Sequence, residues 1–82
     1  MMEQHRGYWI HGSAVPGPPN TTYWEGQGTV LKPGRAGSVV EVVRLCDREF
    51  TFDLKELAEW YGLELSRIAV DACLTQGDGL AT

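Results

Sequence analysis

The chain has little of the chemistry that usually marks an enzyme or a metal protein. Among its 82 residues are two histidines, His5 and His11, and two cysteines, Cys46 and Cys73. No CxxC or HxxxH pair brings them together, whereas a zinc site needs four converging ligands. There is no P-loop, and no Gly-rich strand-to-helix turn suited to a dinucleotide. Nor is there an internal repeat, and no cofactor is expected. No apolar run approaches the ~20 residues that cross a bilayer. His11, Gly12 and Ser13 also interrupt the N-terminal apolar residues, so neither membrane contact nor a signal peptide is expected. Basic charge is scarce as well. Seven Lys and Arg face eleven Asp and Glu, a net charge of −4 that disfavours non-specific attraction to nucleic acid or anionic lipid. Both cysteines lie in apolar runs and read as reduced, buried core thiols, which fits a cytoplasmic protein.

What the chain does have is apolar content. At 43% hydrophobic, with three Trp, three Tyr and two Phe, it is too apolar for disorder. We expect one small domain over 1–82, with 1–6 and 76–82 flexible, and a core limited by the roughly 60–65% of surface that so short a chain buries.

The first half is punctuated by turns. "GSAVPGPPN", residues 12–20, packs three prolines and two glycines into nine positions and reads as a loop, neither helix nor central strand. The flanking "YWI" and "TTYWEGQGTVLK" favour strand. "KPGRAG" reads as a reversal, followed by the strand "SVVEVVRLC". That strand is apolar on both faces. Only Glu41 and Arg44 interrupt it, one on each face at a period of two, so it reads as central and covered on both sides. A turn at Asp47 and Arg48 then leads into "EFTFD", a half-buried strand paired as a hairpin with its predecessor.

At Asp53 the period changes. Leu54, Leu57, Ala58 and Tyr61 share one helical face, Asp53 can cap it with Glu56 completing a capping box, and Gly62 suits its stop, giving a helix over 53–61. "LELSRIAVDACL" reads as a second helix capped by Ser66 or, failing that, as a strand. The fold class is therefore α+β: a small antiparallel sheet of three or four strands, one helix, and a final helix or strand.

Leu57, Ala58, Gly62, Leu63 and Ile68 have the spacing of packing residues in a helix-turn-helix, and over about twenty residues the segment resembles that family. The resemblance implies two helices about a turn at Gly62 and a second helix that reads DNA. Reading bases needs polar and basic side chains there. Between residues 67 and 74 only Arg67 and Asp71 are polar or charged, spaced to pair with each other. Residues 53–82 hold two basic and six acidic groups, against five of each in 1–52. The segment thus reads as a packing surface. "GRAGSVVEV", residues 34–42, resembles the KOW loop of small ribosome-associated β-barrels, which implies phosphate contacts from Arg35 and Lys32.

Two aromatic pairs, Tyr8–Trp9 and Tyr23–Trp24, bracket the proline-rich loop, and with Trp60 they are the candidate partner-binding residues, since large aromatics dominate protein interfaces. The expected function is a small acidic, non-catalytic protein-binding module. It would act as a homodimer or as an accessory or inhibitor of a larger complex, its partner being another protein or itself. One alternative is a nucleic-acid-binding regulator using Lys32, Arg35, Arg44 and Arg48 of the sheet and its loops. Another is an acidic nucleic-acid mimic built on Glu56, Glu59 and Glu64.

Overall fold

Four strands form one antiparallel sheet with a single long helix across one face, in a computed structural model that describes residues 1–76. The strands are β1 (Met2–His5), β2 (Tyr8–Pro16), β3 (Trp24–Pro33) and β4 (Val39–Phe52), in that order across the sheet; the helix α1 is Lys55–Gln76. This is the expected α+β arrangement with four strands. Each reversal has a local cause. Arg6 and Gly7, both at positive φ (52° and 89°), form the two-residue β1–β2 connection, the geometry whose twist suits a hairpin. Between β3 and β4 a short 3-10 turn, Arg35–Gly37, is closed by the Ser38 hydroxyl donating to the Arg35 carbonyl at 2.7 Å.

The helix lies on β2 and β3 through its smallest residues. Ala58, Gly62, Ser66 and Val70, each four apart, form its buried stripe, joined by Leu63. Beneath them the sheet presents Gly12, Gly26 and Gly28, so backbone rides on backbone. A Cβ at Gly62 would collide with the carbonyl oxygen of Gln27, and one at Gly26 would stand 2.6 Å from the carbonyl oxygen of Ala58. The buried Ser66 hydroxyl donates to the Gly62 carbonyl at 3.0 Å and lies 3.4 Å from that of His11, so the close contact leaves it satisfied. Past the glycines the layers separate, and Ile10, Val30, Leu63 and Val70 fill the gap as the core, with Tyr8, Ala69 and Leu74 packed against it.

Several expectations change here. The helix does not stop at Gly62 but runs through it, and Ser66 is an interior residue, not a cap. The helix-turn-helix therefore has no turn. Leu54 and Leu57, expected to face the core, are exposed, because the small-residue stripe allows a closer approach than the large-residue one. Near the N-terminus, Met2–His5 form β1 along the outer side of β2. Of the supposed loop 12–20, Gly12–Pro16 complete β2, a central strand; Pro16 is its last residue, where a missing N–H costs little. Of the tail 76–82, Gln76 ends the helix and the rest lies outside the described residues.

"SVVEVVRLC" is not central but lies in β4, at the edge of the sheet. No hairpin turn occurs at Asp47. The strand continues to Phe52, accommodating residues 47–50 as an insertion opposite Gly26.

Close packing at Gly62 gives a prediction of unusual sign. In an ordinary helix interior Gly→Ala stabilises by ~1 kcal/mol. Here Gly62→Ala is expected to destabilise by about 1–3 kcal/mol, because the helix must lift from Gln27. A urea midpoint equal to or above that of the parent chain would contradict the packing.

Candidate functional site

Because α1 sits on β2 and β3, β4 is left largely bare. Val39, Val40, Val42 and Val43 remain 37–55% exposed, although the sequence places them in its most apolar run. β4 pairs only with β3, so among the described residues the outer backbone of this fourteen-residue strand has no strand partner. Such an edge invites pairing with another chain, and neither proline nor lysine blunts it.

The valines are presented unevenly. Val30 pairs with Val43 and Leu31 with Glu41, so Val42 is an extra residue in β4. Val42 and Val43 both line a shallow groove on the helix side, together with Tyr8, Val30, Val70 and Cys73. The groove holds only about 30 Å³. Small-molecule sites run to ~300 Å³ or more, so its size suits an inserted side chain. The extra residue also puts Glu41 and Arg44 on the same face, away from the helix, instead of one on each. There the Arg44 guanidinium donates to the Glu41 carboxylate at 2.7 Å.

Both ends of the helix are fastened by polar contacts. Near its start, Tyr61 packs against Phe50 and Phe52, with ring centroids 5.7 and 5.3 Å away. Its hydroxyl donates to Asp47 at 2.8 Å, and the other Asp47 oxygen accepts the Glu49 N–H at 3.0 Å, shaping the insertion. Burial, then the Asp47 hydrogen bond, pushes the Tyr61 phenol above its ordinary range. Near the helix end, Asp71 meets His5 Nε2 at 2.7 Å and the Arg6 guanidinium at 3.1 Å. Arg67 bridges Glu64 and Glu3. The expected Arg67–Asp71 pair is thus replaced by bonds from each residue to β1 or its turn, with Glu64 as a further partner of Arg67. Hydrogen bonds from His5 first, and then Arg6, hold the Asp71 carboxyl below its usual range.

The aromatic candidates do not form one patch. Tyr8 lines the β4 groove, while Trp9, one residue on, points to the opposite face of the sheet. Tyr23 and Trp24 lie at the far end of β2, some eight residues or ~26 Å away along the strand. There Tyr23 is exposed and Trp24 lies beneath Lys55 Nζ, 5.6 Å from the ring centroid. Trp60 is exposed on the outer surface of the helix with Leu57 and Ile68. The basic candidates are also dispersed. Lys32 lies near the end of β3 and Arg35 in the β3–β4 turn, Arg44 is engaged by Glu41, and Arg48 lies in the insertion beside the proline-rich loop. Of the acidic candidates, Glu64 is bound by Arg67, while Glu56 lies in the first turn of α1.

Both cysteines are exposed, not buried. Cys46 faces the open side of the sheet, where a wide depression runs between the proline-rich loop and Arg48. Its thiol donates to the Glu25 carboxylate at 3.6 Å. Desolvation and that contact raise its pKa, so the sulfur keeps its proton at neutral pH. Among the described residues no three His, Cys, Asp or Glu side chains cluster as metal ligands. No described helix is long and apolar enough to cross a membrane. Compared with protein-family models, curated proteins and solved structures, the chain matches none.

The Asp71 cluster makes the attachment of β1 sensitive to acid. With its folded pKa lowered, the contribution of Asp71 is complete above the unfolded carboxylate value of about 3.9 and disappears as pH falls through the lower folded value. Urea midpoints of the parent chain and Asp71→Asn should therefore differ at pH 6 and converge below that range. A gap that persists at pH 2 would show that charge is not its source.

Proposed function

We propose that this chain is a small protein-binding module whose docking surface is the β4 edge. It acts as a homodimer or as an accessory or inhibitor of a larger complex. The observation that carries the reading is four exposed valines, Val39, Val40, Val42 and Val43, on an unpaired strand. An edge of this kind takes an added strand, with main-chain hydrogen bonds supplying affinity and side-chain pockets supplying specificity. The groove beneath the helix is such a pocket, and Tyr8 is the one aromatic candidate that contributes to it.

The reading is non-catalytic. Cys46, an exposed nucleophile in the wide depression, is bonded to a carboxylate that keeps it protonated. Two unpaired thiols fit a reducing, cytoplasmic setting.

Val42 is the position at which to test the reading, since as the extra residue it has no partner of its own on β3. Val42→Lys should leave the far-UV circular dichroism and urea midpoint nearly unchanged. It should lower association with protein, whether another copy of the chain or a partner retained from nuclease-treated lysate, by at least about tenfold, since edge lysines obstruct strand addition. Binding that survives Val42→Lys, or that vanishes on nuclease treatment of the parent chain, would overturn the proposal.

A further inference from the structure

We propose that the occupant of the β4 edge is a second copy of this chain, paired antiparallel about a two-fold axis through Val42 and Val43. The inference rests on the protein-binding reading and names its partner. Its basis is the self-complementary order of charge along the edge. On the open face of the sheet, Glu41 stands opposite Leu31 and Arg44 opposite Thr29. Between them Val42 and Val43 together occupy the single position opposite Val30 and turn toward the helix side.

Counted in ladder positions, the edge reads acid on the open face, valines on the helix face, base on the open face. A two-fold axis normal to the sheet preserves faces and reverses strand direction. Placed at the valines, it sets Glu41 of each copy opposite Arg44 of the other. Val40 then meets Leu45 on the helix side, and Val39 meets Cys46 on the open side. Without the extra residue, Glu41 and Arg44 would project from opposite faces and no such axis could pair them.

The same operation places both helices on one side of an eight-stranded sheet. The bare valine strips of the two copies then lie side by side between the helices, giving the apolar edge a cover that the single chain lacks. Burial of the valines supplies the affinity, and the four exposed charges fix the register.

The test uses the full chain and two exposed substitutions, Glu41→Arg and Arg44→Glu. Sedimentation equilibrium and native mass spectrometry of the parent chain should give the mass of two copies. Each substitution alone turns two cross-strand pairs repulsive and should weaken dimerisation by about thirty-fold, with circular dichroism unchanged. Mixed in equal amounts, the two variants should form a heterodimer, because arginines at 41 and 44 of one copy then meet glutamates of the other. The double variant should dimerise like the parent. Variants that self-associate as tightly as the parent, or a mixture with no preference for the heterodimer, would overturn this pairing. A parent chain that is monomeric yet retains a protein through Val42 would overturn self-association and leave the protein-binding reading standing. A monomer that retains nothing would overturn both.

Discussion

The backbone contact between Gly62 and Gln27 determines where everything else can lie. With Gly12, Gly26 and Gly28 beneath the same stretch of helix, α1 approaches the sheet more closely than any side chain would allow. It can do so only over β2 and β3, where the glycines are. The core then forms to one side, where Ile10, Val30, Leu63 and Val70 fill the space opened by the departing layers. A helix centred on those strands leaves β4 outboard. The exposed valines are thus a consequence of glycine placement and not a separate feature.

Specific polar contacts add orientation to this seat. Tyr61 on Asp47 fixes one end of the helix against the insertion in β4, while Arg67 and Asp71 draw β1 toward the other end. These pairs are partly or largely exposed, so their contribution is direction more than stability. They hold the wall of the valine groove, formed in part by Ala69 and Val70, at a fixed distance from β4.

The sequence disclosed element types better than their relations. Strand content, the reversal at "KPGRAG" and the onset of a helix soon after Asp53 all follow from local chemistry. The helix face follows only in part. Hydrophobicity selects Leu54, Leu57, Ala58 and Tyr61, of which Ala58 is buried and Tyr61 packs on β4 while both leucines are exposed, and the packing adds Gly62 and Ser66 for their lack of bulk. Gly62 reads as a stop because glycine usually ends helices; only its contact with Gln27 explains it inside one. The edge is hidden for a similar reason. Val39–Val43 carries the pattern of a strand covered on both sides, and an exposed edge strand can carry the same pattern. Nothing local reveals that Val42 is an extra residue, so the shared face of Glu41 and Arg44 was not legible. The aromatic pairs stand out by size and by bracketing the proline-rich loop, while strand alternation sends Tyr8 and Trp9 to opposite faces.

Seated over β2 and β3, α1 leaves β4 exposed as an edge strand, and we propose that another strand covers it. Residue-resolved amide hydrogen exchange in dilute and concentrated solution tests this most directly. The outward amides between Val39 and Leu45 should exchange rapidly at high dilution and slow strongly on concentration, with constant protection of β3. Outward β4 amides as protected as those of β3 at every concentration would contradict it.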